Sequence, residues 1–191
     1  MGNQVKLIGN IVSDFVYSHA LYGETFYNVT LCVKRDSGNV DLVPLLISDR
    51  LIDSTIKYNY VYVTGGFRSY NQHDEDKDRL KLYVFVDSMA AVEACKNVND
   101  VFLEGYLCKQ PTYRHTPHGR EIADVMLAVN RQYGKSDYIP CILWGRNAYF
   151  VKDLKAGSSL RVAGRIQSRE YIKNGERKTA YELSVNLVEL G

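Results

Sequence analysis

An all-β fold of two tandem barrels is what this sequence predicts, and three observations carry the prediction. Apolar residues alternate with period two through most of the chain, in runs broken by Gly, Asn and Asp turns. Displaced by 96 residues, the sequence aligns with itself without a gap from Asn3 on Asn99 to Arg50 on Arg146, and 15 of those 48 pairs are identical. Unrelated stretches would agree at about one pair in sixteen, so the chain reads as a duplication. Finally, "GRNAYFVKDLKAG" (145–157) interrupts the strand pattern with one short helical stretch and a glycine stop.

The elements follow in order. "NQVKLIGNI" (3–11) opens the first copy as a strand, and the repeat resumes with "VTGGFRS" (63–69) against "VAGRIQS" (162–168) and "LYVFV" (82–86) against "LSVNL" (183–187). The two domains are therefore 1–96 and 97–191, joined near Cys95–Val98. In the second copy the strands fall at 100–108, 121–131, 137–144, 159–171 and 179–189. Five strands with a helix between the third and fourth fit a small Greek-key barrel of the OB type in each copy. A sandwich would call for about seven strands, and a closed barrel leaves no free edge on such long apolar strands.

Composition narrows the class. At 46% hydrophobic and 24% charged residues the chain is an ordinary globular one. No apolar run approaches a membrane span, and the amino terminus reads as a strand, not a leader, so a cytoplasmic protein is expected. Four scattered cysteines, Cys32, Cys95, Cys108 and Cys141, form no C-x-x-C pair. They read as reduced, mostly buried thiols without metal or disulfide. "HTPH" (115–118) lacks a third ligand nearby and reads as a turn. No nucleophile elbow, P-loop or dinucleotide fingerprint is present, so no catalysis and no cofactor are expected. The net charge of +2 divides into −2 for residues 1–96 and +4 for residues 97–191.

The candidate binding residues lie in the basic half. Laid out as a strand, 137–145 turns Ile139, Cys141 and Leu143 to one face and Tyr138, Pro140, Ile142 and Trp144 to the other. Either the second face covers the barrel or an interface, or it stacks against a ligand. In 159–171, Leu160, Val162, Gly164 and Ile166 alternate with Arg161, Arg165, Gln167, Arg169 and Tyr171. Arginine supplies both charge and a planar surface, which suits a phosphate backbone with bases beside it, although a solvated basic strand has the same pattern. "YIKNGERK" (171–178) adds Lys173, Arg177 and Lys178 on a hairpin turning at Asn174-Gly175.

"NDVFLEGYLCKQPTYRHTPHGREIADVMLAVNR" (99–131), "DYIPCILWGRNA" (137–148) and "GSSLRVAGRIQSREYIKNGERKTAYEL" (157–183) resemble the bacterial single-stranded DNA-binding protein family. The first half resembles it only as a diverged copy. The resemblance implies sequence-independent binding of single-stranded DNA in replication, recombination or repair. It implies base stacking on Tyr133, Tyr138, Trp144 and Tyr171; beside it, the basic residues Arg114, Arg131, Arg161, Arg165, Arg169, Lys173 and Arg177 are expected to meet phosphates. It also implies a homodimer that gathers four barrels. A replication-restart accessory that uses this fold mainly for protein contacts is the alternative. Relatives often carry an acidic tail that recruits replication proteins, whereas this sequence ends at "NLVELG" (186–191), in the last strand.

The two copies differ at the candidate site. Across the repeat Tyr133 meets Ser37, Tyr138 meets Leu42, Trp144 meets Ser48, Arg161 meets Tyr62 and Arg165 meets Gly66. Ser48 is expected to face outward. The first hairpin, "YNQHDEDKDR" (70–79), carries Asp74, Glu75, Asp76 and Asp78, which would repel phosphates. The expected division gives DNA to the second domain and assembly or partner contact to the first. The rival is a displaced first-domain site using Tyr17, Tyr27, Tyr70 and Arg68.

Overall fold

The computed structural model describes residues 2–53, 60–74, 77–93, 96–173 and 175–191, with the side chains of 73, 74, 77, 78 and 173 excepted. Cys95, the carboxylates at 74, 75, 76 and 78, the Lys173 side chain and Asn174 thus lie outside the described residues. The first domain comprises β1 (Asn3–Ile11), β2 (Val16–Leu21), β3 (Glu24–Lys34), β4 (Val40–Ser48), β5 (Tyr60–Asp74) and β6 (Lys77–Val92). The second comprises β7 (Val98–Leu107), β8 (Thr112–His115), β9 (Glu121–Asn130), β10 (Ser136–Trp144), α1 (Arg146–Val151), β11 (Ser159–Lys173) and β12 (Glu176–Leu190).

One expectation about the elements is corrected. The sequence reading had no β8, a four-residue strand of mostly polar side chains that pairs with β9. The helix expected in the first copy falls partly outside the described residues, and those described there hold a 3-10 turn at Asp49–Leu51. The β11–β12 hairpin is laddered as far as Lys173 and Glu176.

Each domain closes on itself. In the first, β3 pairs with β4, β4 runs parallel to β6, β6 pairs with β5, β5 with β1, and β1 returns to β3. The second repeats the circuit, with β10 parallel to β12 and β7 returning to β9. Closure brings backbones together at Gly9 and Gly105, where a Cβ would overlap the carbonyl oxygens of Cys32 and Ala128. Only glycine fits those two seams. The period-two pattern fills the barrels with Val5, Leu7, Leu31, Val63 and Phe67 in one and Leu103, Leu127, Ile139, Leu143 and Ile166 in the other.

The barrels join through β1 and β7, which pair antiparallel with Val5 opposite Val101. Those residues are repeat equivalents, so a pseudo-two-fold axis runs through that pair. Its consequences recur along the sequence. Asn3 donates to Phe67 O at 2.7 Å and accepts from Phe67 N–H at 2.8 Å. Asn99, its equivalent, donates to Ile166 O at 2.8 Å and accepts from Ile166 N–H at 2.9 Å.

Candidate nucleic-acid interface

Beyond the seam, each long hairpin leans across the axis onto the other domain. Ser69 on β5 donates its N–H to Asp137 Oδ1 at 2.7 Å, and its Oγ accepts from Tyr138 N–H at 2.7 Å. The mirror contact is looser: Ser168 N–H reaches Asp41 Oδ1 at 3.4 Å and Leu42 N–H reaches Ser168 Oγ at 3.3 Å. Both carboxylates are fully buried. Asp41 is held by Arg35 and, at 3.2 Å, by Arg165 from the other domain. Asp137 sits 3.1 Å from Arg131 Nε. Burial pushes the Asp137 carboxyl above its ordinary range, against the pull of the Ser69 N–H, Arg131 and Arg68.

This clasp fixes β10 beneath the predicted aromatic face. Asp137, Ile139, Cys141 and Leu143 point into the barrel, while Tyr138 is 46% and Trp144 40% exposed on the opposite side. Ile142, between them in the pattern, is buried. Tyr133 is 95% exposed and sits in a left-handed conformation, φ 63°, in the turn between β9 and β10. Tyr171, 38% exposed, lies on the β11–β12 hairpin opposite Lys178. It lines a groove with first-domain residues and with Pro140 of the β10 face.

Most of the predicted cations already have carboxylate partners. Arg114 pairs with Asp124 at 2.9 Å, Arg161 with Glu104 at 3.2 Å, Arg177 with Glu170 at 3.5 Å and Arg169 with Glu182 at 4.0 Å. These four are half exposed or more, and a phosphate can compete for them. Arg131 and Arg165 differ, because each holds a buried aspartate of the clasp. Burial, and after it the neighbouring Arg35, lower the affinity of Arg165 for its proton, and Asp41 offsets only part of this.

One sequence expectation about the first copy fails. Ser48, the repeat partner of Trp144, is only 5% exposed, and its Oγ accepts from Arg50 N–H at the start of the 3-10 turn. The local turn reels the residue inward. Of the cysteines, Cys141 is buried, Cys32 partly buried and Cys108 exposed, and these three are unbonded. The expectation of mostly buried thiols therefore holds for Cys141 and fails for Cys108. Sequence reasoning missed the Ser69 and Ser168 contacts altogether, although the identity of that pair across the repeat was visible.

Two barrels of this strand order, one with an exposed aromatic strand face, define a tandem OB-fold module. Residues 98–190 match the sequence model of the single-strand binding protein family. That match lies within the second domain. A single-stranded DNA-binding protein of Halalkalibacterium halodurans is 40% identical over 88 residues, 42% of this chain and 52% of the relative. Single-stranded DNA-binding protein A of Bacillus subtilis is 38% identical over 100 residues, 48% of this chain and 58% of the relative. A Lactococcus lactis relative, single-stranded DNA-binding protein 1, is 35% identical over 95 residues, 46% and 63% of the two chains. This chain thus spans little more than half the length of these relatives. The crystal structure of the wild-type single-stranded DNA binding protein of Thermus aquaticus superposes with TM-score 0.73 at 22% identity, over 99% of this chain and 92% of that one. A deletion mutant of the same protein gives 0.76 at 20% identity, over 99% and 94%. That likeness extends the fold match to both domains.

Proposed function

We propose that the chain binds single-stranded DNA without sequence preference and protects it during replication, recombination or repair. The observation that carries this reading is the face of β10, where Tyr138 and Trp144 stand exposed over a strand whose other side is the barrel core. Aromatic rings held on a rigid strand stack on any base, at roughly 1–3 kcal/mol per base. Arg114, Arg161, Arg169 and Arg177 supply phosphate contacts by exchanging their carboxylates. The second domain carries this platform, and the first contributes the clasp that positions it. The work is binding and not catalysis, in the cytoplasm at the nucleoid. The accessory reading, in which protein contacts dominate, is not favoured, because the relatives are named as single-stranded DNA-binding proteins.

Assembly as a homodimer of four barrels belongs to the same proposal. Phe102 on β7 and Leu187 on β12 stand exposed in register on either side of Ala163 of β11, an apolar surface that a second copy would cover. Replication or restart proteins are the partners to be expected of the complex.

Trp144 is the single tryptophan of the chain, so its fluorescence reports on the platform alone. Titration with oligo(dT) should quench it, and duplex of equal mass should compete poorly, since paired bases do not offer their faces. Equal competition by duplex, or an unmoved Trp144 signal, would remove the stacking platform from the reading.

A further inference from the structure

The two rings of the platform are anchored differently. β10 pairs with β9 along its whole length but with β12 only at Cys141–Leu143, so at Tyr138 its outer edge has no strand of its own barrel beside it. Ser69 of the first domain takes that place. Its Oγ accepts the Tyr138 N–H and its own N–H is donated to Asp137 Oδ1, each at 2.7 Å. Trp144 stands six residues further on, roughly 20 Å away at ~3.3 Å per residue. That end is fixed inside the second domain, by pairing with Ile122 of β9 and by the Gly145 N–H bond to Glu121 O at 2.9 Å.

The mirror half provides the comparison. There Leu42 occupies the place of Tyr138 and Asp41 that of Asp137, and Ser168 reaches them only at 3.3 and 3.4 Å. Asp41 needs little from Ser168, because Arg35 Nε at 2.7 Å and Arg165 Nη1 at 3.2 Å already hold it. Asp137 is poorer in partners. Its Oδ2 has no hydrogen bond among the described residues, although Arg131 Nε lies 3.1 Å away, so the carboxylate leans on the Ser69 N–H. The same serine thus grips tightly where the strand presents an aromatic ring and loosely where it presents leucine.

We propose that Ser69 is a positioning residue for single-stranded DNA: from the first domain it fixes the backbone that carries Tyr138, and so sets the affinity of a platform that belongs to the second. Ser69 is buried, so it acts through Tyr138 and not by touching DNA. The inference rests on the function proposed above and adds to it an energetic coupling between the domains. Such coupling is reciprocal, and a base stacked on Tyr138 strengthens the Ser69 contact by the factor that the contact lends to binding.

The test is a double-substitution cycle on the full chain, read by Trp144 quenching with oligo(dT) of about 8 nucleotides, within the ~4–16 that a single OB fold covers. Ser69→Ala should weaken binding by about three- to tenfold, since a displaced ring forfeits part of its stacking, and should leave the quench at saturation unchanged. Ser168→Ala should bind as the unsubstituted chain does. Tyr138→Leu should weaken binding by more than Ser69→Ala, and adding Ser69→Ala to it should change nothing further. Melting curves confirm that each variant is folded at the temperature of the titration. Equal weakening by Ser69→Ala with and without Tyr138, or none in either case, would overturn the positioning role and leave the platform standing. A Tyr138→Leu chain that binds like the parent would remove the ring from the platform, and the proposal with it. Amide exchange in the unsubstituted chain supplies a second readout, free of any folding defect. Saturating oligo(dT) should slow exchange at the Tyr138 and Ser69 amides more than at Leu42, and equal slowing at all three would overturn the coupling.

Discussion

Replacing Ser69 by alanine removes the hydroxyl that accepts the Tyr138 N–H at 2.7 Å, and the repeat supplies its own control. Ser69 is buried, so the amide at Tyr138 has little access to replacement water. An unpaired buried donor costs roughly 1–3 kcal/mol. The Ser69 N–H bond to Asp137 survives the change, which confines the loss to one contact. For a chain of this length 1 kcal/mol moves the melting midpoint by about 2–4 °C, so Ser69→Ala should melt roughly 2–12 °C lower. Ser168→Ala removes the equivalent hydroxyl, whose bond to Leu42 N–H is 3.3 Å long in an exposed setting. That variant should stay within ~0.5 kcal/mol of the parent. Urea unfolding of the three chains, read by circular dichroism, gives both differences. Equal losses from the two serines would refute the claim that the clasp is tight on one side of the axis and loose on the other.

Further outcomes follow from the same geometry. Because Arg131 and Arg165 are committed to buried aspartates, phosphate contacts come from the remaining arginines, and the log–log salt slope with a short oligo(dT) should be roughly −2 to −3. A slope steeper than about −5 would mean that the clasp arginines reach the DNA. At the barrel seam, Gly105→Ala should cost ~1–3 kcal/mol through overpacking against Ala128 O. Gly66→Ala, whose nearest atoms lie 3.6 Å away, should be nearly silent in the same melting assay. Asp137 sets a pH dependence. With its carboxyl raised by burial, the folded chain holds the proton more tightly than the unfolded one. Its contribution to stability therefore falls as pH rises from the ordinary carboxylate range through the raised value, and is flat above it. Asp137→Asn should lose that slope in melts across the acid range, and matching profiles would assign the titration to another group.

The barrels and the aromatic face were legible because they follow from local periodicity. Alternation along 137–145 is the arrangement seen in β10, with Ile142 alone turned from exposed to buried. Contacts that depend on the relative placement of the two domains were not legible. Ser69 and Asp137 are 68 residues apart in sequence, and their pairing needs the axis at Val5 and Val101 that no single strand announces. For the same reason the arginines of β11 read as one basic row, although Arg165 crosses to Asp41 while Arg161 and Arg169 meet Glu104 and Glu182 on adjoining strands. Ser48 was misplaced by a different cause. Strand alternation stops where a serine can cap the following turn, and its hydroxyl does so here.

The pairing of Val5 with Val101 has a consequence for how such a molecule can change. Where two identical chains meet across a true two-fold axis, every substitution appears on both sides, so a charge that improves one contact is imposed on its mirror image. Here a peptide connection makes the two sides separate stretches of one gene product. Arg165 faces Asp41 while its counterpart position holds Gly66, and Trp144 stands exposed while Ser48 folds inward. Covalent union therefore lets a symmetric frame carry unlike halves, each free to be refined without disturbing the other.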